Sequence, residues 1–253
     1  MVDRVAVYRA PTTVADVEAI ADWLTAILDR PVEVRGRFLA AHADEATAEA
    51  FAAARVHSPH RRETGTSMLG AVRYERRVLE DPARGGGVLY DGHALQEVVR
   101  RRLDADERGL EVAHVVVLDR PVATWGAHDG RWHKRVSVLG QPALVSVPGL
   151  YEAPVKPESY YAAKHGAAMV AGDAPPREVL EAAVEGAFLL RDDPRTTAVL
   201  KGPILQAVHY LLTGDAFCPE PTCRLFNAHR QPELLRAQLG APPFCERHAT
   251  RYG

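Results

Sequence analysis

The chain has 253 residues, with 31 Lys and Arg against 33 Asp and Glu, a formal net charge of -2 and 47% hydrophobic residues. That length can bury a sizeable core and the composition is ordinary for a globular chain, so disorder is not the default. The near-neutral charge gives no footprint for nucleic acid or an anionic membrane surface, and no apolar run approaches the ~18 residues that span a bilayer.

The opening MVDRVAVYRAP reads as an exposed charge followed by a core strand and lacks the apolar stretch of a signal peptide. A cytoplasmic location is therefore expected. In a reducing compartment the three cysteines favour metal ligation over disulfides. Apolar residues recur at helical spacing from Val14 to Leu28, and PVEVRGRF predicts a second strand. Strand, helix, strand is the opening of a parallel sheet. DEATAEAFAAARV predicts a second helix. From His57 to Gly87 the chain is rich in arginine, glycine and turn formers and predicts a surface excursion. Its basic 61–87 part is either a solvated loop or a docking site for another protein.

GGVLYDG predicts a third strand, HALQEVVRRRLDAD a helix with Arg100 to Arg102 on its wet face, and LEVAHVVVLDR a strongly apolar fourth strand. GRWHKRVSVLGQPALVSVPGL predicts two more strands, with Asp129-Gly130 as a hairpin turn and a second break from Gly140 to Pro142. Two helices are expected after that, from Ser159 to Val170 and from Pro175 to Leu190, the second opened by paired prolines. The fold class expected is α/β, with a mixed, mostly parallel sheet, flanking helices and a C-terminal metal-clipped helical segment. Residues 1–253 form one domain, or divide into a sheet-containing part, 1–150, and a helical metal-binding part, 172–253.

The last part of the chain, FCPEPTCRLFNAHRQPELLRAQLGAPPFCERH, holds all three cysteines. Four residues separate Cys218 from Cys223, 21 more precede Cys245, and two separate Cys245 from His248. Thiolate and imidazole are the ligands zinc prefers, and a tetrahedral structural site takes four of them from closely spaced pairs. Prolines 219, 221, 242 and 243 stiffen both loops. A centre with four protein ligands is structural, because a catalytic zinc keeps a position open. The competing reading is three small buried thiols and a surface histidine.

Immediately upstream stands KGPILQAVHYLLTGDAFC, in which Gly202-Pro203 predicts a helix start and Gly214 a C-cap. A helix running into CPEPTC, RLFN and FCERH resembles the archaemetzincins, zinc peptidases whose H-E-x-x-H-x-x-G-x-x-H helix leads directly into a C-x4-C…C-x-x-C structural zinc site. His248 stands where that family has its last cysteine. The resemblance implies a metzincin-like fold and structural zinc, but the peptidase residues do not carry over. Anchored on Gly214 and Cys218, the three histidine positions fall on Ala207, Leu211 and Phe217, and the general-base glutamate on Val208. Sliding the pattern by two residues places Leu205, Gln206, His209 and Asp215 there instead, and a neutral glutamine cannot act as a carboxylate base. His209 is either a core-edge histidine or a surviving functional group, and His229 could back the metal site.

A second constellation follows the last apolar strand. SVPGLYEAPVKPESYYAAKH gathers Tyr151, Glu152, Lys156, Glu158, Tyr160, Tyr161, Lys164 and His165 around two prolines, where α/β proteins often bind ligands. It is equally well read as a polar connection; His133, on a neighbouring predicted strand, is a candidate to face the same crevice. Two functions compete. In the first, a zinc-binding protein of archaemetzincin-like ancestry has lost its proteolytic centre and binds a peptide or small molecule. In the second, a metal-dependent hydrolase uses a site rebuilt from His209, Asp215, His229, Glu152, Lys156, Tyr160 or His165.

Overall fold

The computed structural model describes residues 2–62, 68–171, 176, 179–180, 182, 186 and 188–253. Five strands form the main sheet: β1 (Arg4–Tyr8), β2 (Val32–Arg35), β4 (Val112–Leu118), β7 (Ser137–Val138) and β8 (Ala143–Ser146), in the order β2-β1-β4-β8-β7. All neighbouring pairs are parallel except β7 with β8, which is antiparallel. A smaller sheet pairs β3 (Tyr90–Asp91) with β5 (Val122–Gly126) and β5 with β6 (Arg131–Arg135). The mixed α/β class with a mostly parallel sheet and flanking helices is thus the observed one.

β4 is buried along its whole length, as a central parallel strand covered on both faces must be. Its alternate residues feed two cores. Val115 and Val117 join Val5 and Val7 beneath α1 (Val17–Leu28) and the long helix Thr196–Thr213, whereas Val116 and Leu118 join Ala6 and Tyr8 beneath α5 (Gly92–Arg102). This alternation follows from the two-residue period of a strand. α1 begins at Asp16, whose carboxylate accepts from the Ala19 amide, and ends at Asp29 in the left-handed region at φ 51°.

The remaining helices are α2 (Phe38–Ala41), α3 (Glu45–Ala53), α4 (Leu69–Glu80), α6 (Val147–Glu152), α7 (Glu158–Ala171), α8 (Thr196–Thr213), α9 (Gln231–Leu239) and α10 (Glu246–Tyr252). Several expectations need correcting. The segment 61–87 contains α4, which packs Val72 and Leu79 against Ala48 and Ala52 of α3; its arginines mask an apolar stripe at helical spacing. The third strand is only two residues long and belongs to the smaller sheet, and β5 was not anticipated at all. Half of the helix expected over 175–190 lies outside the described residues; Val179, Leu180 and Ala182 are helical, whereas Phe188, Leu189 and Leu190 are not.

α8 starts at Thr196, six residues before the expected Gly202-Pro203 start, so Pro203 is interior. The glycine has a packing role. A Cβ on Gly202 would lie 1.9 Å from the Gln238 side-chain oxygen, so its absence lets α9 approach α8 closely. Gly214 does cap the helix, at φ 80°.

Candidate functional site: a closed Cys3His centre and a cavity

The cysteine-bearing segment is tied to the core before any metal is considered. The Gln206 amide of α8 donates to the Phe226 carbonyl at 3.0 Å, and the Cys218 amide donates to the Leu225 carbonyl at 2.8 Å. Cys223 is fully buried, and Cys218 and His248 are nearly so. Cys245 is the N-cap of α10, and His248 stands three residues on, where side chains share one helix face.

These elements bring the four side chains together, with all four donor atoms within 4.8 Å of one another. Cys218 Sγ lies 3.7 Å from Cys245 Sγ, and His248 Nδ1 lies 3.6 Å from Cys223 Sγ and 3.2 Å from Cys245 Sγ. Metal–sulfur bonds of ~2.3 Å and metal–nitrogen bonds of ~2.0–2.1 Å imply tetrahedral edges of about 3.8 Å and about 3.6 Å. The donor types and the first two separations fit that tetrahedron, and the third is shorter. The Glu220 amide also points at Cys218 Sγ, at 3.4 Å, as a donor to a thiolate would. Burial pushes the Cys218 thiol up to about 12 and raises Cys223 too, so without a cation these thiols stay protonated. At Cys245 burial works the same way, but hydrogen bonding from the His248 amide and contacts with Cys218 and Cys223 outweigh it and lower the thiol. Burial, reinforced by Arg247, lowers His248 and keeps its imidazole neutral, the form that ligates.

The positions that the archaemetzincin resemblance singles out fall on α8 and on the loop that follows its C-cap. Ala207 and Val208 are fully buried in the core beneath the sheet, as is Leu205, and Gln206 is occupied with backbone carbonyls. His209 is buried: Tyr252 lies 2.6 Å from its Nδ1 and its ring stands edge-on to His248. Burial lowers it to about 4. His209 and Asp215 do share one recess beside the cluster. His229 is exposed, and its carbonyl accepts from the Val155 amide. Glu152 accepts from Lys134 at 2.5 Å. The Lys156 ammonium sits over the rings of Tyr160, at 4.7 Å, and Phe188, at 4.1 Å. His165 is exposed on α7. His133 does not face these groups: its Nε2 is 2.9 Å from Asp129 at a hairpin tip.

A cavity of about 330 Å³ opens at the carboxyl ends of β1, β4 and β8. Thr12 follows β1, Asp119 and Arg120 follow β4, and Val147 begins the helix after β8. The chain leaves β1 toward β2 on one side, while β4 and β8 lie on the other, so the crevice between β1 and β4 is a topological switch point. Glu152 and Tyr151 of the expected constellation line it; Lys156, Tyr160 and His165 do not.

One wall rests on a buried ionic network. Glu75 of α4, with no exposed side-chain surface, accepts from Arg55 Nε at 2.7 Å, from Arg120 at 2.7 Å and from the Tyr90 hydroxyl at 3.0 Å. Arg120 also stacks over Phe51 at 4.7 Å. Beside it, Asp119 accepts from the Thr12 hydroxyl at 3.2 Å, and burial raises its carboxyl against the pull of Arg120. Sequence reading missed Thr12, Glu75 and Asp119. The available signal was a polar residue directly after each apolar strand, but which strand ends are neighbours depends on strand order.

Among solved structures the chain is similar to a zinc-dependent peptidase from Methanocorpusculum labreanum, at 14% identity, covering 98% of both chains with a TM-score of 0.48. It is also similar to archaemetzincin from Methanopyrus kandleri, at 12% identity, covering 97% of this chain and 91% of that one with a TM-score of 0.45. No curated protein matches. No helix among the described residues is long and apolar enough to cross a membrane. The family of unknown function DUF7001 matches residues 6–251, and the chain belongs to that family.

Proposed function

We propose that this protein is a zinc-clipped α/β protein without a peptidase centre, in which the Cys3His zinc is structural and a small ligand binds in the cavity at the ends of β1, β4 and β8. The observation that carries this reading is the position of the two features at opposite ends of α8. Thr196, its first residue, lines the cavity, and the cysteine cluster follows its C-cap, Gly214. The eighteen residues of α8, at ~1.5 Å each, span about 27 Å from Thr196 to Thr213. Cys218, Cys223, Cys245 and His248 would fill the shell of a tetrahedral ion, leaving no position for water or substrate. Bound there, zinc supplies folding free energy, because the unfolded chain has no preformed site.

The cavity is within the size range of small-molecule sites and joins apolar walls to a few convergent polar groups, Thr12, Asp119 and Arg120 among them. An enzymatic reading of the same cavity has one specific observation in its favour, the half-buried carboxyl of Asp119, which desolvation raises where it lines the cavity. Elemental analysis of the purified full-length protein tests the zinc assignment. One zinc per chain, lost in Cys223→Ser together with thermal stability, is expected. A chain that is folded and free of metal would sink the reading, as would peptide cleavage that depends on the Cys3His metal.

A further inference from the structure

The β5–β6 hairpin carries a second group of ligating side chains that neither the Cys3His centre nor the cavity uses. Thr124 pairs with His133 and Gly126 with Arg131, and the turn between them is Ala127, His128, Asp129 and Gly130. Gly130 takes φ 63° and its amide donates to the Gly126 carbonyl at 2.9 Å, closing the reversal. This fold-back brings His133 over the turn. Its Nε2 lies 2.9 Å from Asp129 Oδ1, and His128 Nε2 lies 3.8 Å from the same oxygen. The two imidazoles stack with ring centroids 5.8 Å apart and planes 14° from parallel. One donor atom from each of the three residues falls within 4.8 Å of the others.

Two further features shape this cluster. A Cβ on Gly126 would lie 2.4 Å from Asp129 Oδ1 and 2.6 Å from His133 Nε2, so the carboxylate and imidazole converge in space that only glycine leaves. Arg131 Nε donates to Asp129 Oδ2 at 2.7 Å. His133 Nε2 lies 2.9 Å from both carboxylate oxygens, so the guanidinium and the imidazole together fix the carboxylate, as an outer hydrogen bond does for a carboxylate ligand.

We propose that His128, Asp129 and His133 form a second, open site for a borderline divalent transition-metal ion. Two imidazoles and one carboxylate suit zinc, cobalt(II), nickel or copper(II), whereas magnesium and calcium call for all-oxygen shells. Three protein ligands leave positions for water or an exogenous ligand, so this centre is chemically unlike the closed thiolate-rich one. His128 is 80% exposed on its side chain and must be ordered on binding, so the site is the weaker and more exchangeable of the two.

Cobalt(II) separates the two sites, because only a thiolate ligand gives sulfur-to-metal charge-transfer absorption. The full-length protein is stripped of metal, equilibrated with cobalt(II), and its content and spectrum measured. Two equivalents are expected in the parent chain, one with the thiolate band and one without it. His128→Ala and His133→Ala should each bind one equivalent with the thiolate band unchanged, and Gly126→Ala should weaken the second equivalent at least several-fold while keeping all three donors. His128→Ala alters a solvent-exposed side chain and does not endanger folding. A single equivalent in the parent chain, or a second one that survives His128→Ala, overturns the proposal. Loss of the thiolate band with the second equivalent retained would count against the Cys3His reading alone.

Discussion

The sulfur atoms of Cys218 and Cys245 lie 3.7 Å apart although 27 positions separate them in the chain. The approach is enforced by structure on both sides. The Cys218 loop is pinned by Gln206 and Leu225, and Cys245 is presented by the start of α10.

If zinc binds only the folded chain, each tenfold rise in free zinc above the dissociation constant stabilises it by about 1.4 kcal/mol. Thermal melts across a zinc-buffer series should show this climb, and a chelator should lower the melting temperature. A melting temperature indifferent to both would remove the metal from the fold.

Glu75 neutralises two arginines inside the protein. In Glu75→Gln, Arg55 and Arg120 lose their shared carboxylate while Arg120 stays buried, and leaving such a charge uncompensated costs about 3–5 kcal/mol. Urea denaturation should show a midpoint shift of that order. A change below about 1 kcal/mol would mean that water reaches the network.

Asp119 should oppose folding at neutral pH. Its carboxyl is raised in the folded chain, so the folded state binds the proton more tightly, and stability falls as pH rises from the unfolded value through the folded one. Asp119→Asn is therefore expected to be more stable than the parent by about 0.5–1.5 kcal/mol at pH 7, with the gain vanishing below about pH 4. Parallel denaturation curves at the two pH values check this. A residue that weakens the fold at the mouth of a cavity is the pattern expected of a group kept for binding or chemistry.

Glu107 should show the opposite pH dependence. Hydrogen bonding from Arg35, aided by Arg4, holds its carboxyl at about 2. A depressed carboxyl contributes stability above the unfolded value of ~4.3, and that contribution is lost as pH falls toward 2. Glu107→Gln should lower stability by about 1–2 kcal/mol at pH 7 and by almost nothing at pH 2. Equal losses at both values would assign Glu107 a packing role instead.

Much of the fold was legible because its signals are local. The β-branched run of β1, the period of α1, the apolar β4, the Asp129-Gly130 turn and the C-cap at Gly214 each follow from neighbours within a few residues. The cysteine spacings belong to the same class, since each pair sits on one short loop or one helical turn. Where a local rule failed, tertiary packing had overridden it. Gly202-Pro203 looks like a helix start but is a close crossing with Gln238, and the arginine-rich stretch before Gly85 looks like a loop but turns Val72, Glu75 and Leu79 inward.

By itself the sequence determined the α/β class, the strongest strands and the four residues able to gather around a metal, because these depend on periodicity and short spacings. Only the tertiary structure decided that β1 lies beside β4, that Thr12 therefore meets Asp119 at a cavity, and that Glu75 joins Arg55 to Arg120 beneath it. Such contacts join residues 20 to 107 positions apart. They arise from the order in which strands pair, a choice made by burial of the whole sheet and written in no single segment.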